Sequence, residues 1–155
     1  MLHLLSIEHS RQEKPANCLA ACAQMALRHI DIAATQDQLN QLLGLTEAGI
    51  PASRIKRLAQ QGVNVVYATG DDSILRNTIE QGIPLIAFLA TGDLPNWYVS
   101  LRHAVLVVGF DDADVYLHDP AFPSAPIPVN WDDFLLAWSE FDYAYAVISP
   151  KRWVQ

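Results

Sequence analysis

Long apolar runs are missing from this chain. The longest candidates, residues 83–90 and 104–110, have the length of strands, whereas a helix needs roughly 20 apolar residues to span a bilayer. No membrane segment is expected. Cysteine is scarce. Cys18 and Cys22 stand four apart in a stretch that reads as helix. A disulfide at that spacing is strained, because the helix directs both Cβ atoms. Two free thiols in a reducing compartment is the simpler reading. Positive charge is scarce as well. Ten Lys and Arg stand against 17 Asp and Glu, for a net charge of -7, and no basic cluster forms. That balance argues against nucleic acid as a partner. Residues 1–10 lack a basic start, a long apolar centre and a small-residue cleavage site. They do not read as a signal peptide, and a cytoplasmic location is expected.

What is present is a globular composition, 51% hydrophobic and 17% charged, over 155 residues. This length suits one domain with its own core, so 1–155 is read as a single domain.

Helical signals fill the first half. Asn17 is placed to cap a helix over 18–29 that is rich in Ala, Leu and Met. Thr35 and Gln38 form a candidate capping box for a helix stopping at Gly44. Pro51 and Gly62 bracket a helix over 52–61. A β-branched strand follows over 63–68, then a helix capped by Asp71 or Asp72 and ending before Gly82. The second half reads as strands over 83–90, 103–110, 115–118 and 143–149, with 97–101 as a partner for the first. An acidic turn at 111–114 makes a hairpin, 120–128 is a proline-rich loop, and Asn130 caps a short helix through Trp138. The expected class is therefore α+β, N-terminal helices packed on a mainly antiparallel sheet.

The two cysteines differ chemically. The thiolate is the nucleophile, and a helix N-terminus favours it. Cys18 lies in the first turn, among free N–H groups. Cys22 lies a turn deeper, between alanines, and reads as packing. His103 stands at the start of an apolar strand, where a polar side chain is unusual unless used. Asp119 ends the next strand. In a hairpin the start of one strand and the end of the next share an edge, so the pair can meet as imidazole and orienting carboxylate. His118 competes with Asp119, since neighbours on a strand face opposite ways. The Cys18 N–H supplies one oxyanion donor. Gln12, six residues earlier in a polar segment, can fold back to supply another.

Each residue also has a plainer reading: Cys18 as a buried thiol, His103 as a core histidine, Asp119 as a turn residue before proline, Gln12 as a surface amide. His3, His9 and His29 default to surface or packing. Trp97, Trp131 and Trp138 read as core or cleft walls, Trp97 as a wall of a substrate groove. A zinc site from both cysteines and two histidines is disfavoured, because the cysteine spacing lies within a helix. The acidic run 111–114 reads as a solvated turn rather than a calcium site.

Taken together, Gln12, the stretch Asn17-Cys18-Leu19-Ala20-Ala21-Cys22, the run from His103 to Gly109 and Asp119-Pro120-Ala121 resemble the double-glycine leader peptidases. These are the papain-like cysteine peptidases that process bacteriocin precursors. The resemblance spans roughly residues 12–121. It implies a papain-like fold, with Cys18 as nucleophile, His103 as base, Asp119 as triad acid and Gln12 at the oxyanion. Asparagine can serve as the third member of such a triad, so the charge of Asp119 is not required by the pattern. The family has Asp before and Gly after the nucleophile, where this chain has Asn17 and Leu19. Leu19 narrows or reshapes the cleft. The expected function is cleavage of a peptide or protein through a thioester, with no metal or organic cofactor. Two other readings use the same fold: an acyltransferase or deamidase, and a non-catalytic peptide-binding module.

Overall fold

The computed structural model of the chain describes residues 1–151. Seven strands form one sheet: β1 (His3–Leu4), β2 (Val63–Thr69), β3 (Leu85–Ala90), β4 (Arg102–Phe110), β5 (Asp114–His118), β6 (Ile127–Asn130) and β7 (Ala144–Pro150). Their order is β2-β7-β3-β4-β5-β6, with β1 beside the end of β4, and every pairing is antiparallel. Four α-helices, α1 (Cys18–His29), α2 (Gln36–Leu43), α3 (Asp72–Glu80) and α4 (Trp131–Ser139), and a 3-10 helix (Ala52–Gln61) cover it. The fold is α+β with an antiparallel sheet, as the pattern of elements implied.

Strand alternation divides the core in two. Ile86, Phe88, Ala104, Leu106 and Val108 turn to the face covered by α1, α2 and the 3-10 helix. Leu85, Ala87, Leu89, Val105 and Val107 turn to the opposite face, against Phe134 and Trp138 of α4 and Leu75 of α3. Strands buried on both faces carry continuous apolar runs rather than alternating ones. That is why residues 83–90 and 104–110 contain so little polarity.

Local signals set most helix limits. Thr35 and Gln38 make both capping-box bonds, and Gly44 closes α2 in the left-handed conformation. Asp71, not Asp72, caps α3 by accepting from the Ile74 N–H. Asn130 caps α4 in the same way through Asp133.

Three expectations are corrected. Asn17 precedes α1 but makes no side-chain cap; its φ of -108° and ψ of 32° are not the extended backbone of a capping residue. The side chain turns inward instead and joins a buried amide network. Residues 97–101 do not pair with β3, because both edges of β3 are already taken by β4 and β7. They run as a loop, pinned by the buried Thr91, whose Oγ1 donates to the Val99 carbonyl and accepts from the Leu101 N–H. The proline-rich loop is shorter than read, since Ile127–Asn130 adds an edge strand to β5. Pro128 is tolerated there because an edge strand can spare an N–H.

Candidate active site

The sheet end that carries the start of β4 and the end of β5 also receives the N-terminus of α1. Register decides which side chains meet there. Val107 pairs with Leu117, and Leu106 with His118. His103 alternates with Val105 and Val107, and Asp119 with Leu117, so His103 and Asp119 share a face. His118 falls on the other face.

His103 and Asp119 are in contact. The imidazole Nε2 lies 2.6 Å from Asp119 Oδ1, with His103 only 8% exposed and Asp119 fully buried. Asp119 Oδ1 also accepts from the Ala121 N–H at 3.0 Å. Its second oxygen, Oδ2, accepts from the Trp97 indole N–H at 2.9 Å. The Trp97 ring stands edge-on to the imidazole, with centroids 4.9 Å apart. Both carboxylate oxygens therefore face donors only. With Nε2 engaged, Nδ1 is the ring nitrogen left for the cysteine.

Cys18 opens α1, half-buried at the floor of a cleft of about 770 Å³ that His103, Trp97, Gln12 and Leu19 also line. Burial alone pushes its thiol up. The His103 imidazole, by hydrogen bonding and by charge, and the backbone N–H groups of Ala104 and Leu19 outweigh burial and pull it below the ordinary thiol value. For His103, burial works against the charged ring. The hydrogen bonds to Asp119 and Cys18 and the charges on both prevail and raise it to about 9. The two shifts have one coupled origin, each group favouring the charged form of the other, in the direction of a thiolate–imidazolium pair. Cys22 is fully buried, and desolvation pushes its thiol well above the ordinary value.

Gln12 reaches the cleft, held through its backbone N–H to the Pro120 carbonyl at 2.8 Å. Its Nε2 donates to the carbonyls of Lys14 and Pro15, both at 2.9 Å. Its Oε1 is buried with no hydrogen-bond partner. Leu19 packs into the α1 core, 2% exposed, and still borders the cleft beside the sulfur. Trp97 is the residue sequence reasoning undervalued. It was legible as a cleft wall, but its bond to Asp119 spans 22 positions and left no local signal. Among the described residues, no three His, Cys, Asp or Glu side chains gather so as to hold a metal ion. No helix among them is long and apolar enough to cross a membrane.

His118 does separate work. Its Nε2 bonds the Ile7 carbonyl at 2.7 Å, and its ring meets His9 edge-on at 5.3 Å. His9 in turn bonds the Phe122 carbonyl at 2.7 Å. The pair ties the N-terminal segment to the chain on both sides of Asp119. Burial lowers the His118 pKa, assisted by the charge of His9 and opposed by the bond to Ile7. Above pH about 6.5 the ring is neutral folded or unfolded. Below it, the unfolded chain takes the proton first, so stability is lost as pH falls toward the lowered folded value. Urea midpoints at pH 7 and 5.5 should therefore separate more for wild type than for His118→Asn, which retains a donor for Ile7 without titrating.

A family model described as the Peptidase C39 like family matches residues 4–146. The chain belongs to this family. Solved structures agree on the fold. A putative C39-like peptidase from Bacillus anthracis superposes with a TM-score of 0.82 at 17% identity, covering 97% of this chain and 98% of that one. The peptidase domain of Streptococcus ComA, a bifunctional ABC transporter of a quorum-sensing pathway, gives 0.77 at 14% identity over 93% and 98%. A double glycine motif protease from an AMS/PCAT transporter, solved with its leader peptide, gives 0.76 at 16% over 96% and 94%. No curated protein sequence matches significantly. Family and fold are those of papain-like cysteine peptidases.

Proposed function

We propose that this C39-like chain is a cysteine peptidase, working as one domain with Cys18 as nucleophile, His103 as base and acid, and Asp119 as the acceptor that orients His103. The observation that carries the reading is the buried imidazole held at 2.6 Å by Asp119 Oδ1 with its other nitrogen left for Cys18.

The thiolate of Cys18 attacks the scissile carbonyl carbon, and the carbonyl electrons move onto oxygen. The Cys18 N–H at the helix start stabilises that oxyanion. Gln12 joins it by exchanging one bond to Lys14 or Pro15 for the oxyanion. The imidazolium of His103 gives its proton to the departing amine as the C–N bond breaks, leaving a thioester on Cys18. His103, now neutral, takes a proton from water, and the hydroxide displaces the thiolate to release the acid. A substrate with small residues beside the cut suits a cleft that Leu19 borders. A double-glycine-type peptide is the first to try, by analogy with the leader peptide bound to the AMS/PCAT relative. The reaction requires Cys18 reduced, in keeping with a cytoplasmic setting.

The test is limiting iodoacetamide with the alkylated site mapped by mass spectrometry. Cys18 should label rapidly at mildly acidic pH and Cys22 hardly at all. The kcat/KM profile should rise through the lowered Cys18 pKa and fall near pH 9, where His103 loses its proton. Slow, equal labelling of both thiols would sink the proposal.

A further inference from the structure

Residues 11–17 lie outside helix and strand, yet they deliver both Gln12 and the start of α1. One side chain from α2 gathers them. Gln36, the first residue of α2, is 1% exposed. Its Oε1 accepts from the Glu13 N–H at 2.9 Å and from Asn17 Nδ2 at 3.0 Å. Its Nε2 donates to the Arg11 carbonyl at 2.9 Å and to Gln24 Oε1 at 3.0 Å. An amide offers two donor hydrogens and two acceptor lone pairs, and all four are used. Asn17 extends the network: its Oδ1 accepts from the Lys14 N–H and its Nδ2 also donates to Asn40.

The placement has a chemical meaning. Gln36 holds the backbone immediately before Gln12, through Arg11, and immediately after it, through Glu13. Through Asn17 it also holds the residue before Cys18. A fully satisfied buried amide network fixes geometry, whereas a partly satisfied one is costly and loose. An oxyanion donor works only when pre-placed to within a fraction of an ångström.

We propose that Gln36 is a positioning residue for the oxyanion pocket, clamping the segment that carries Gln12 and leads into Cys18. It touches no reacting atom. The proposal rests on the cysteine peptidase reading.

The experiment compares wild type, Gln36→Leu and Gln36→Glu on a fluorogenic peptide-amide library and with iodoacetamide. Alkylation needs the thiolate but develops no oxyanion. Gln36→Leu should lose kcat by about 10- to 100-fold with little change in KM, on the scale of one disturbed oxyanion donor. Its Cys18 alkylation rate should stay near wild type. Gln36→Glu places a carboxylate against the Arg11 carbonyl and Gln24 Oε1. Its kcat relative to wild type should recover as pH falls, because the protonated acid regains one donor. A folded Gln36→Leu with unchanged kcat would overturn the proposal. So would a parallel fall in hydrolysis and alkylation, the mark of a merely structural residue. If Gln36→Leu does not fold, absence of acid recovery in Gln36→Glu overturns it alone. Failure of the peptidase reading itself looks different: wild-type Cys18 labels no faster than Cys22 and cuts nothing in the library.

Discussion

His103→Ala should remove the selective reactivity of Cys18. Without the imidazole, the hydrogen bond and the charge that pull the thiol down both vanish, while burial, which pushes it up, remains. Alkylation at mildly acidic pH should fall toward the rate of an ordinary thiol. Peptide hydrolysis should fall by ~10³-fold or more, because the same ring protonates the leaving amine and later activates water. The packing consequence is small by comparison. His103 sits at the rim beside Trp97, and the core behind it is formed by Val105, Val107 and Leu89. Thermal unfolding should show a native-like cooperative transition, and its loss would mean that the ring holds the sheet end together rather than the chemistry.

Asp119→Asn should be nearly as damaging, and the reason is specific to this site. Asparagine serves in some papain-like triads, but here both carboxylate oxygens receive donors: His103 Nε2 and the Ala121 N–H on Oδ1, the Trp97 indole on Oδ2. An amide has one oxygen. Aimed at His103, it leaves its NH2 against the Trp97 N–H. Turned round, it sets NH2 against the imidazole and spoils the tautomer. A buried donor left facing a donor costs about 1–3 kcal/mol. We expect kcat/KM to fall ~10²–10⁴-fold, the scale seen when an orienting carboxylate is lost. The alkaline limb should move below about 9, since the Asp119 bond and charge help raise His103. Trp97→Phe alone leaves Oδ2 unpaired and should lose roughly tenfold, or about 1.4 kcal/mol. In the Asp119→Asn background the same change removes the clash and should restore part of the activity, a coupling of about 1 kcal/mol or more. Strict additivity of the two losses would show that the indole bond does not orient the carboxyl.

Much of the fold was readable because its signals are local. The capping box at Thr35 and Gln38, the left-handed Gly44 and Gly62, and the Asp71 and Asn130 caps involve partners within a turn. The misreadings share the opposite cause. Whether residues 97–101 could pair depended on how many edges of β3 were already occupied. Whether Ile127–Asn130 became a strand depended on a free edge of β5. β1 has two residues and exists only because β4 runs past the end of β3. Asn17 carried a capping signal that a buried amide partner 19 positions away overrode.

The candidate site divides along the same line. Residue type and chain position were enough to tell first-turn Cys18 from the deeper Cys22, but the lowered Cys18 thiol depends on its surroundings, since His103 offsets the cost of burial. Type and position were also enough to set His103 and Asp119 at neighbouring strand ends and, with the family pattern, to suggest the fold. Spacing left His118 and Asp119 open and the family pattern favoured Asp119; strand register puts Asp119, and not His118, against His103. Packing was needed to bring Trp97 onto the second carboxylate oxygen, to raise His103 to about 9, and to run the Gln36 amide into the segment around Gln12. A hydrogen bond between residues far apart in the chain leaves no periodicity behind. Only the assembled sheet and the helices laid on it create the low-dielectric, donor-lined space in which such bonds form and ionisation shifts.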